Sequence, residues 1–399
     1  MSFRAKGGLR YKAFVENCCG GKWDVAAMKL QEYAELPKED SCHFDVMEDF
    51  SLAELAEECR RPEFYGPLVA LKDGQLSEAV NVSDFTKITD ALISTHVKKT
   101  WQAYPKQIDK ISTKFTSKQQ TDTIPYLQLQ AALADVHPGQ DYGHTAGMSE
   151  YYVTVGHQKR GLILDVTEEA VRFDQTGLVM KTAGDMAEAM ALDREKHGFY
   201  TFMDATVSGK NYYGYYPQGT RTAVWNDAVT TSKAHYYDNK IVDVLTDYTD
   251  LEAAMKLLAL MCDNDGNPIS VMANQVVVPN ALLVTARRII NNIMIATPAS
   301  GASFAYNERN PYADAFEIVS TPLIDTSGVT AATTNWWLGD FKSMFYEKVV
   351  IPFEVKSRNS SDGNEDGWNR DIFHQVKVRY DSKFFFDDYR YAIYSAGTG

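Results

Sequence analysis

The sequence offers few constellations able to do covalent chemistry, and each fails when its geometry is demanded. Gly301-Ala302-Ser303-Phe304-Ala305 approaches a nucleophile elbow but lacks the second glycine that relieves crowding at that sharp turn. Gly209-Lys210 is followed by Asn211 in place of Ser or Thr, and no leading glycine stands at the phosphate-loop distance. No HExxH motif occurs. Asp263 and Asp265 have the look of a calcium loop, yet Gly266 comes too early and no bidentate Glu closes it, so a solvated turn is expected there. Cys42-His43, with Cys18, Cys19 and Cys59 in the same region, has no spacing that aims ligands at a common zinc ion. The pairs Glu168-Glu169 and Asp387-Asp388 are adjacent, so on a helix or strand their side chains diverge. The expectation is a protein with no catalytic residues, no cofactor and no metal site.

Composition narrows the remaining classes. With 399 residues, 45% hydrophobic and 23% charged, the chain has more core to bury than one small domain holds, and several packed parts are expected. A net charge of −13 excludes a surface attractive to nucleic acid everywhere, so any DNA contact must be local. The charge is segregated. Met1 to Lys22 is mostly basic, through Arg4, Lys6, Arg10, Lys12 and Lys22, whereas Glu35 to Glu58 is strongly acidic; such blocks form solvated faces or extended arms. The five cysteines make an odd count without a CxxC pair, which reads as free thiols in a reducing compartment. No apolar core follows the N-terminal basic residues, and no segment approaches the ~20 apolar residues of a membrane span, so a soluble chain without an export signal is expected.

The elements that position these residues follow from periodicity. Helices are predicted over Leu52–Cys59 and from about Asp84 to Ala103, the latter closed by Pro105. Ile111–Ser117 and Tyr151–Val155 read as two strands of one antiparallel ribbon around a polar centre from His137 to Gly147. A ribbon of that length has too little apolar surface to stand alone and needs something beneath it, such as a neighbouring subunit. The longest helical signal is Val166–His197, with a capping box at Asp165 and Glu168, Gly198 as its stop, and a stripe of Val179, Ala183, Met186, Ala187 and Met190 for close packing. Gly177 and Gly184 could bend it or admit another backbone. The aromatic run Tyr212-Tyr213-Gly214-Tyr215-Tyr216-Pro217, followed by Trp225 and Tyr236-Tyr237, reads as loop; lacking interleaved Lys or Arg, it suits packing or subunit contact better than stacking on bases.

From Thr249 the pattern is helix, turn, strand, helix. A capping box at Thr249 and Glu252 starts a helix carrying Leu251, Ala254, Met255, Leu258 and Cys262, and Asp263–Pro268 is a turn. The strand Gln275–Val278 runs into Pro279, and Asn280 is placed to cap a helix with Leu282, Leu283, Ala286, Ile289 and Ile290. Further strands are predicted at Phe316–Pro322, Trp336–Leu338, Lys348–Val355 and Gln375–Tyr380, the last alternating wet and buried, with a polar loop over Ser357–Asn369. The fold class is therefore α+β.

The order of these parts resembles the major capsid proteins of tailed bacteriophages, the Hong Kong 97 type capsid fold, and most closely the Mu-like major head subunits. The resemblance is carried by Gly161–Asp165 leading into Glu168–Asp174, by Asp263–Pro268 with Val276–Pro279 and Leu282–Arg288, by Trp337–Asp340, and by Val378–Tyr380 with Asp388–Arg390. It covers about Asp84 to Gly399. It implies an N-terminal arm region over 1–107, an extended loop over 108–164, a peripheral domain with the long helix over 165–248, an axial domain over 249–340 and peripheral C-terminal strands over 341–399. The implied function is structural: self-assembly as hexamers and pentamers into an icosahedral shell around packaged double-stranded DNA, which is contacted non-specifically, without membrane. Phe115, Tyr151, Tyr152 and Val153 are then expected at subunit contacts, and Arg4, Lys6, Arg10 and Lys12 facing the lumen. Met1–Ser83 is longer than a bare arm yet lacks the acidic heptad helix of a fused scaffold, which leaves room for a separate scaffold beside portal and decoration proteins. An encapsulin-like compartment shell and a soluble hydrolase with an unfamiliar site are the alternative readings.

Overall fold

The computed structural model describes residues 93–129, 137, 138, 141, 148–167, 178–227, 237–262, 268–291, 294–298, 305–310, 312–329, 332–359 and 372–397. The predicted helix over Leu52–Cys59, the Glu168 cap, the Asp263–Asn267 part of the turn and the loop from 360 onwards lie outside them, as do the four basic residues from Arg4 to Lys12. Two compact units divide the chain. One takes its described residues from 93–105, 159–193 and 351–380, the other from 106–158, 194–350 and 381–397.

The helices are α1 (described over 93–103), α2 (Ile108–Ile111), α3 (Leu178–Phe202), α4 (Tyr248–Ala259), α5 (Leu283–Asn291) and α6 (Pro322–Asp325). The strands begin with β1 (Thr113–Thr116), β2 (Asp122–Leu129), β3 (Met148–Val155), β4 (Lys159–Thr167), β5 (Thr206–Val207), β6 (Lys210–Asn211) and β7 (Lys240–Ile241). They continue with β8 (Gln275–Pro279), β9 (Met294–Pro298), β10 (Ala305–Arg309), β11 (Glu317–Thr321), β12 (Trp336–Gly339), β13 (Phe345–Asn359), β14 (Ile372–Phe386) and β15 (Ala392–Ser395).

In the first unit, β4 lies beside β14, which lies beside β13, and the N-terminal part of α3 and the end of α1 cover one face. The alternation read in the sequence holds: Val376, Val378 and Tyr380 are buried while Gln375, Lys377 and Arg379 are not. Trp101 stacks on Phe353 with centroids 4.1 Å apart and also meets Tyr380 at 6.1 Å. Asp193 of α3 accepts from Arg160 Nη1 at 2.6 Å and from the Tyr380 hydroxyl at 2.8 Å. Ala183, Met186, Ala187 and Met190 are buried along α3, as their spacing predicts. Gly184 admits a side chain rather than a backbone: a Cβ there would lie 2.8 Å from His96 Nε2.

In the second unit a five-stranded mixed sheet runs in the order β11-β8-β12-β15-β7. β8 pairs parallel with β11, which a crossover through α5 permits, and antiparallel with β12, which the chain reaches only after β11 and α6. Every residue of β8 is buried, so both faces are covered. Val276 and Val278 pack with Trp336, Leu338 and Ile393 beneath α4 and α5. Val277 and Trp337 point the other way, into an aromatic cluster centred on Phe202, which meets Trp225, Trp337, Phe341 and Phe345 at centroid distances of 5.1–5.9 Å. Tyr215 and Trp225 of the aromatic loop are buried here, and Trp225 Nε1 donates to the Phe202 carbonyl at 3.0 Å.

Several local expectations are corrected. Ile111–Ser117 does not pair with Tyr151–Val155: Ile111 ends α2, and β1 pairs parallel with β13, Thr113 opposite Tyr346. The partner of β3 is β2, antiparallel from Asp122 opposite Val155 to Leu129 opposite Met148. Val166 belongs to β4, not to a helix. At the other end, α3 passes through Gly198 to Phe202, because that glycine serves close approach: a Cβ on it would lie 2.5 Å from Ile108 Cγ1 and 3.2 Å from Phe384 Cζ. The chain leaves α3 instead at Asp204, whose φ of 51° is the left-handed stop. The capping box of α4 is Asp247 with Asp250, two residues before the Thr249–Glu252 pair. Asn280 does not cap α5; the Asp325 carboxylate accepts from the amides of Asn280 and Ala281 at 2.8 and 3.3 Å and does so from another helix.

Candidate functional site: the root of the ribbon

The residues that the sequence reading passed over lie within the second unit, where the β2–β3 ribbon joins its body. β2 and β3 form a two-stranded sheet, and among the described residues only the root of β3 is held by other backbone. There Thr154 N–H donates to the Tyr216 carbonyl at 3.1 Å, and Gln218 N–H donates to the Tyr152 carbonyl at 2.7 Å. The aromatic loop thus serves as a third strand for two residues of the ribbon.

Lys348 closes the root. Its side chain is fully buried, yet its ammonium sits 2.9 Å from Asp122 Oδ2 at the first residue of β2. It also donates at 3.4 Å to the carbonyl of Gln120, just before β2, and at 3.4 Å to that of Val155, the last residue of β3. One cation therefore ties both legs of the ribbon. Burial opposes ionisation of Asp122, but hydrogen bonds from Ser117 and Lys348 and the lysine charge outweigh it and hold the carboxyl below its ordinary value. Lys383 titrates below the ordinary lysine range, chiefly through burial and secondarily through repulsion from Lys348.

A second buried ionic cluster stands at α2. Arg194 donates through Nε to Glu347 Oε1 at 2.8 Å and through Nη2 to Glu347 Oε2 at 2.5 Å, a bidentate pair, and Nη2 also reaches Asp109 at 2.5 Å. The side chains of Arg194 and Glu347 are only 6% and 3% exposed. Glu195, next on the helix, accepts from the Ile108 amide at 3.1 Å and so caps α2. Glu347 and Lys348 are consecutive on β13, one facing each cluster, so that strand positions both. The signal available in the sequence was a charged pair, Glu347-Lys348, interrupting the apolar run from Phe345 to Ile351.

Burial pushes the Glu195 carboxyl up to about 7, and pushes Asp204 up to about 7 despite Arg221 at 3.1 Å. Asp387 rises to about 6 through burial and then through its neighbour Asp388. Each of these groups binds its proton more tightly folded than unfolded. The stability they contribute is complete below the unfolded carboxyl range and is lost as pH rises through the folded values. Unfolding free energies from urea titrations should therefore fall between about pH 4 and pH 7, by about 1 kcal/mol per pH unit for each group titrating. Glu195→Gln, which keeps the acceptor for Ile108, should flatten that fall; an unchanged slope would refute the assignment.

The residues expected at subunit contacts distribute unevenly. Phe115 is 37% exposed and meets Phe385 edge-on at 6.5 Å. Tyr152 is half-buried, and Tyr151 is placed by its backbone opposite Tyr126. Val153 is 1% exposed and packs in the core of its own chain. No group of His, Cys, Asp or Glu among the described residues is arranged to hold a metal ion, and no helix among them is long and apolar enough to cross a membrane. Cys262 is a free thiol, and the other four cysteines lie outside the described residues.

Residues 151–395 match the family model described as Phage capsid protein. This chain belongs to the phage capsid protein family. The match begins within β3 and runs through β15, so it takes in the β3 side of the ribbon root, Arg194, Glu347, Lys348 and the mixed sheet. No curated protein sequence matches. Among solved structures, the chain is similar to the capsid of a native GTA particle computed with C5 symmetry, at 8% identity and TM-score 0.48, covering 74% of this chain and 92% of that one. Structures from Mycobacterium phage Bobi (11% identity, TM-score 0.44, 74% and 91% covered) and Gordonia phage Cozz (9%, 0.46, 74% and 87%) are also similar. At these scores the identification rests on the family match. The phage capsid family is a structural one, and the protein is a capsid shell component of the virion.

Proposed function

We propose that this capsid protein is the repeated subunit of a tailed-phage head of the Hong Kong 97 type, assembling with copies of itself as pentamers and hexamers into an icosahedral shell around packaged double-stranded DNA. The family match over 151–395 carries this reading. The ribbon supports it: a two-stranded sheet is marginal in water, and a neighbouring copy supplies what β2 and β3 lack beyond their root. Phe115 and Tyr152, both with side-chain surface left uncovered, are the proposed contacts there, while Arg4, Lys6, Arg10 and Lys12 are proposed to face the lumen. In this reading 249–340 is the axial domain, the long helix with the C-terminal strands is peripheral, and assembly in the host cytoplasm draws on a separate scaffold, a portal and decoration proteins.

Electron microscopy of the purified protein in negative stain is the direct test. Closed shells or capsomers are expected, and monodisperse monomers under all assembly conditions would count against the proposal. Nuclease-protected DNA in particles isolated from cells separates a genome container from a shell around protein cargo.

A further inference from the structure

The backbone directions at the root of the ribbon show which of its edges stays open. On an antiparallel strand the amide and carbonyl of one residue point to the same side, and that side alternates along the chain. Thr154 N–H and the Tyr152 carbonyl both bond to the aromatic loop, so residues 152 and 154 of β3 face away from β2. By the same alternation Glu150 and Met148 face outward, and the residues opposite, Thr123, Pro125, Leu127 and Leu129, face outward from β2. Pro125 therefore removes a donor from the outer edge of β2. Pro217 bridges to Val153 with its nitrogen turned away from β3, and so removes one from the far side of the aromatic loop. Prolines at such positions blunt an edge against strand addition. The loop then turns away, with φ of 50° at Gln218 and 76° at Gly219. Among the described residues, the stretch of the ribbon's outer edges with neither a proline nor a third strand beside it is Met148–Tyr151 of β3.

A second open edge belongs to the other unit. β4 ends the order β1-β13-β14-β4, spans nine residues and contains no proline. Leu162 and Ile163 on it are 47% and 60% exposed. Consecutive residues of a strand point to opposite faces, so β4 carries uncovered apolar surface on both.

We propose that the Met148–Tyr151 edge of one copy takes up β4 of a second copy as an added strand, so that the ribbon extends the neighbour's sheet past β4. This rests on the shell reading and goes beyond it by naming which edge of the ribbon is received and by which strand. A second copy is favoured over a foreign polypeptide because the two open edges are different patches of one sequence. Each copy offers one of each, and such head-to-tail contacts close into rings, as the pentamers and hexamers proposed above require. Pairing of β3 with β3 of another copy would be isologous and would stop at a dimer. Main-chain hydrogen bonds supply the attachment, and the incoming ribbon shields the flanks of Leu162 and Ile163 on an edge that is otherwise unprotected.

Proline placement tests this. Leu127 and Glu150 are directly opposite with both amides facing outward, so a proline at either site spares the hydrogen bonds between β2 and β3, as Pro125 does opposite Tyr152. Glu150→Pro should lower the yield of closed shells about tenfold, because each contact loses a donor. Leu127→Pro and Glu150→Gln should assemble like the wild type, the second because the amide and not the carboxylate makes the contact. The wild type gives a reading that needs no variant. On closing into shells, hydrogen exchange resolved by residue should slow roughly tenfold at the Glu150 amide and along β4, while the Leu127 amide stays as it was in free subunits. Shells from Glu150→Pro at wild-type yield, an equal loss in Leu127→Pro, or protection gained at Leu127 or absent from β4 would overturn the proposal. A wild type that never forms shells fails the shell reading, whereas shells that tolerate Glu150→Pro fail this contact alone.

Discussion

Replacing Arg194 by methionine should lower the stability of the protein by about 3–5 kcal/mol, the range seen when one partner of a buried ion pair is removed. The loss comes from what stays behind. Glu347 is 3% exposed and would keep a carboxylate with both oxygens deprived of their donors, while Asp109 and Glu195 would lose the charge nearest to them. Arg194→Lys should recover little, because a point charge cannot serve both Glu347 oxygens and Asp109 together. The decisive comparison is Arg194→Met combined with Glu347→Leu. Removing both charges leaves no stranded carboxylate at that position, and the double variant should regain most of the loss. Chemical denaturation of the three variants measures this; a double variant no better than Arg194→Met would show that the arginine acts through packing, for instance over the Phe384 ring 5.7 Å away, and not through charge.

How much of this architecture can be read from the chain depends on the range of the interactions that build it. The unit around β8 was legible because its signals are local. Val276, Val277 and Val278 form an unbroken apolar run that demands cover on both faces, and Leu251, Ala254 and Leu258 mark one helix face. The alternation of β14 likewise needs only its own residues. Partner choice is not local. Both Ile111–Ser117 and Asp122–Leu129 have strand-like composition, and nothing in either says which one meets Tyr151–Val155. Lys348 and Asp122, 226 positions apart by subtraction, decide that, together with the parallel pairing of β1 to β13. Gly198 failed as a stop signal for the same reason: its role is set by Ile108, which arrives from far along the chain. Asp325 at the start of α5 repeats the pattern, taking over a cap that Asn280 could have supplied locally. The buried ionic clusters were overlooked because charged residues in sequence read as surface, and only the apolar neighbours of Glu347 and Lys348 hinted otherwise.

Lys348→Met should leave the body of the protein folded and release the ribbon. The methionine fills similar volume, so the loss in packing is small. What changes is electrostatic: Asp122, 8% exposed, loses its counter-ion, and the carbonyls of Gln120 and Val155 lose a shared donor. A cost of about 3 kcal/mol is expected, equivalent to a roughly hundredfold change in the opening equilibrium of the strands that Lys348 holds. Hydrogen exchange should show that rise in Asp122–Leu129 and Met148–Val155, while β8 and β12, buried elsewhere in the second unit, keep their protection. Adding Asp122→Asn should restore most of the protection, since the stranded charge is then gone. If the ribbon is what a neighbouring copy receives, the single variant should also form fewer closed shells than the double variant at equal protein concentration. Uniformly faster exchange across β8 and β12 would instead make Lys348 a general core residue and detach it from the ribbon.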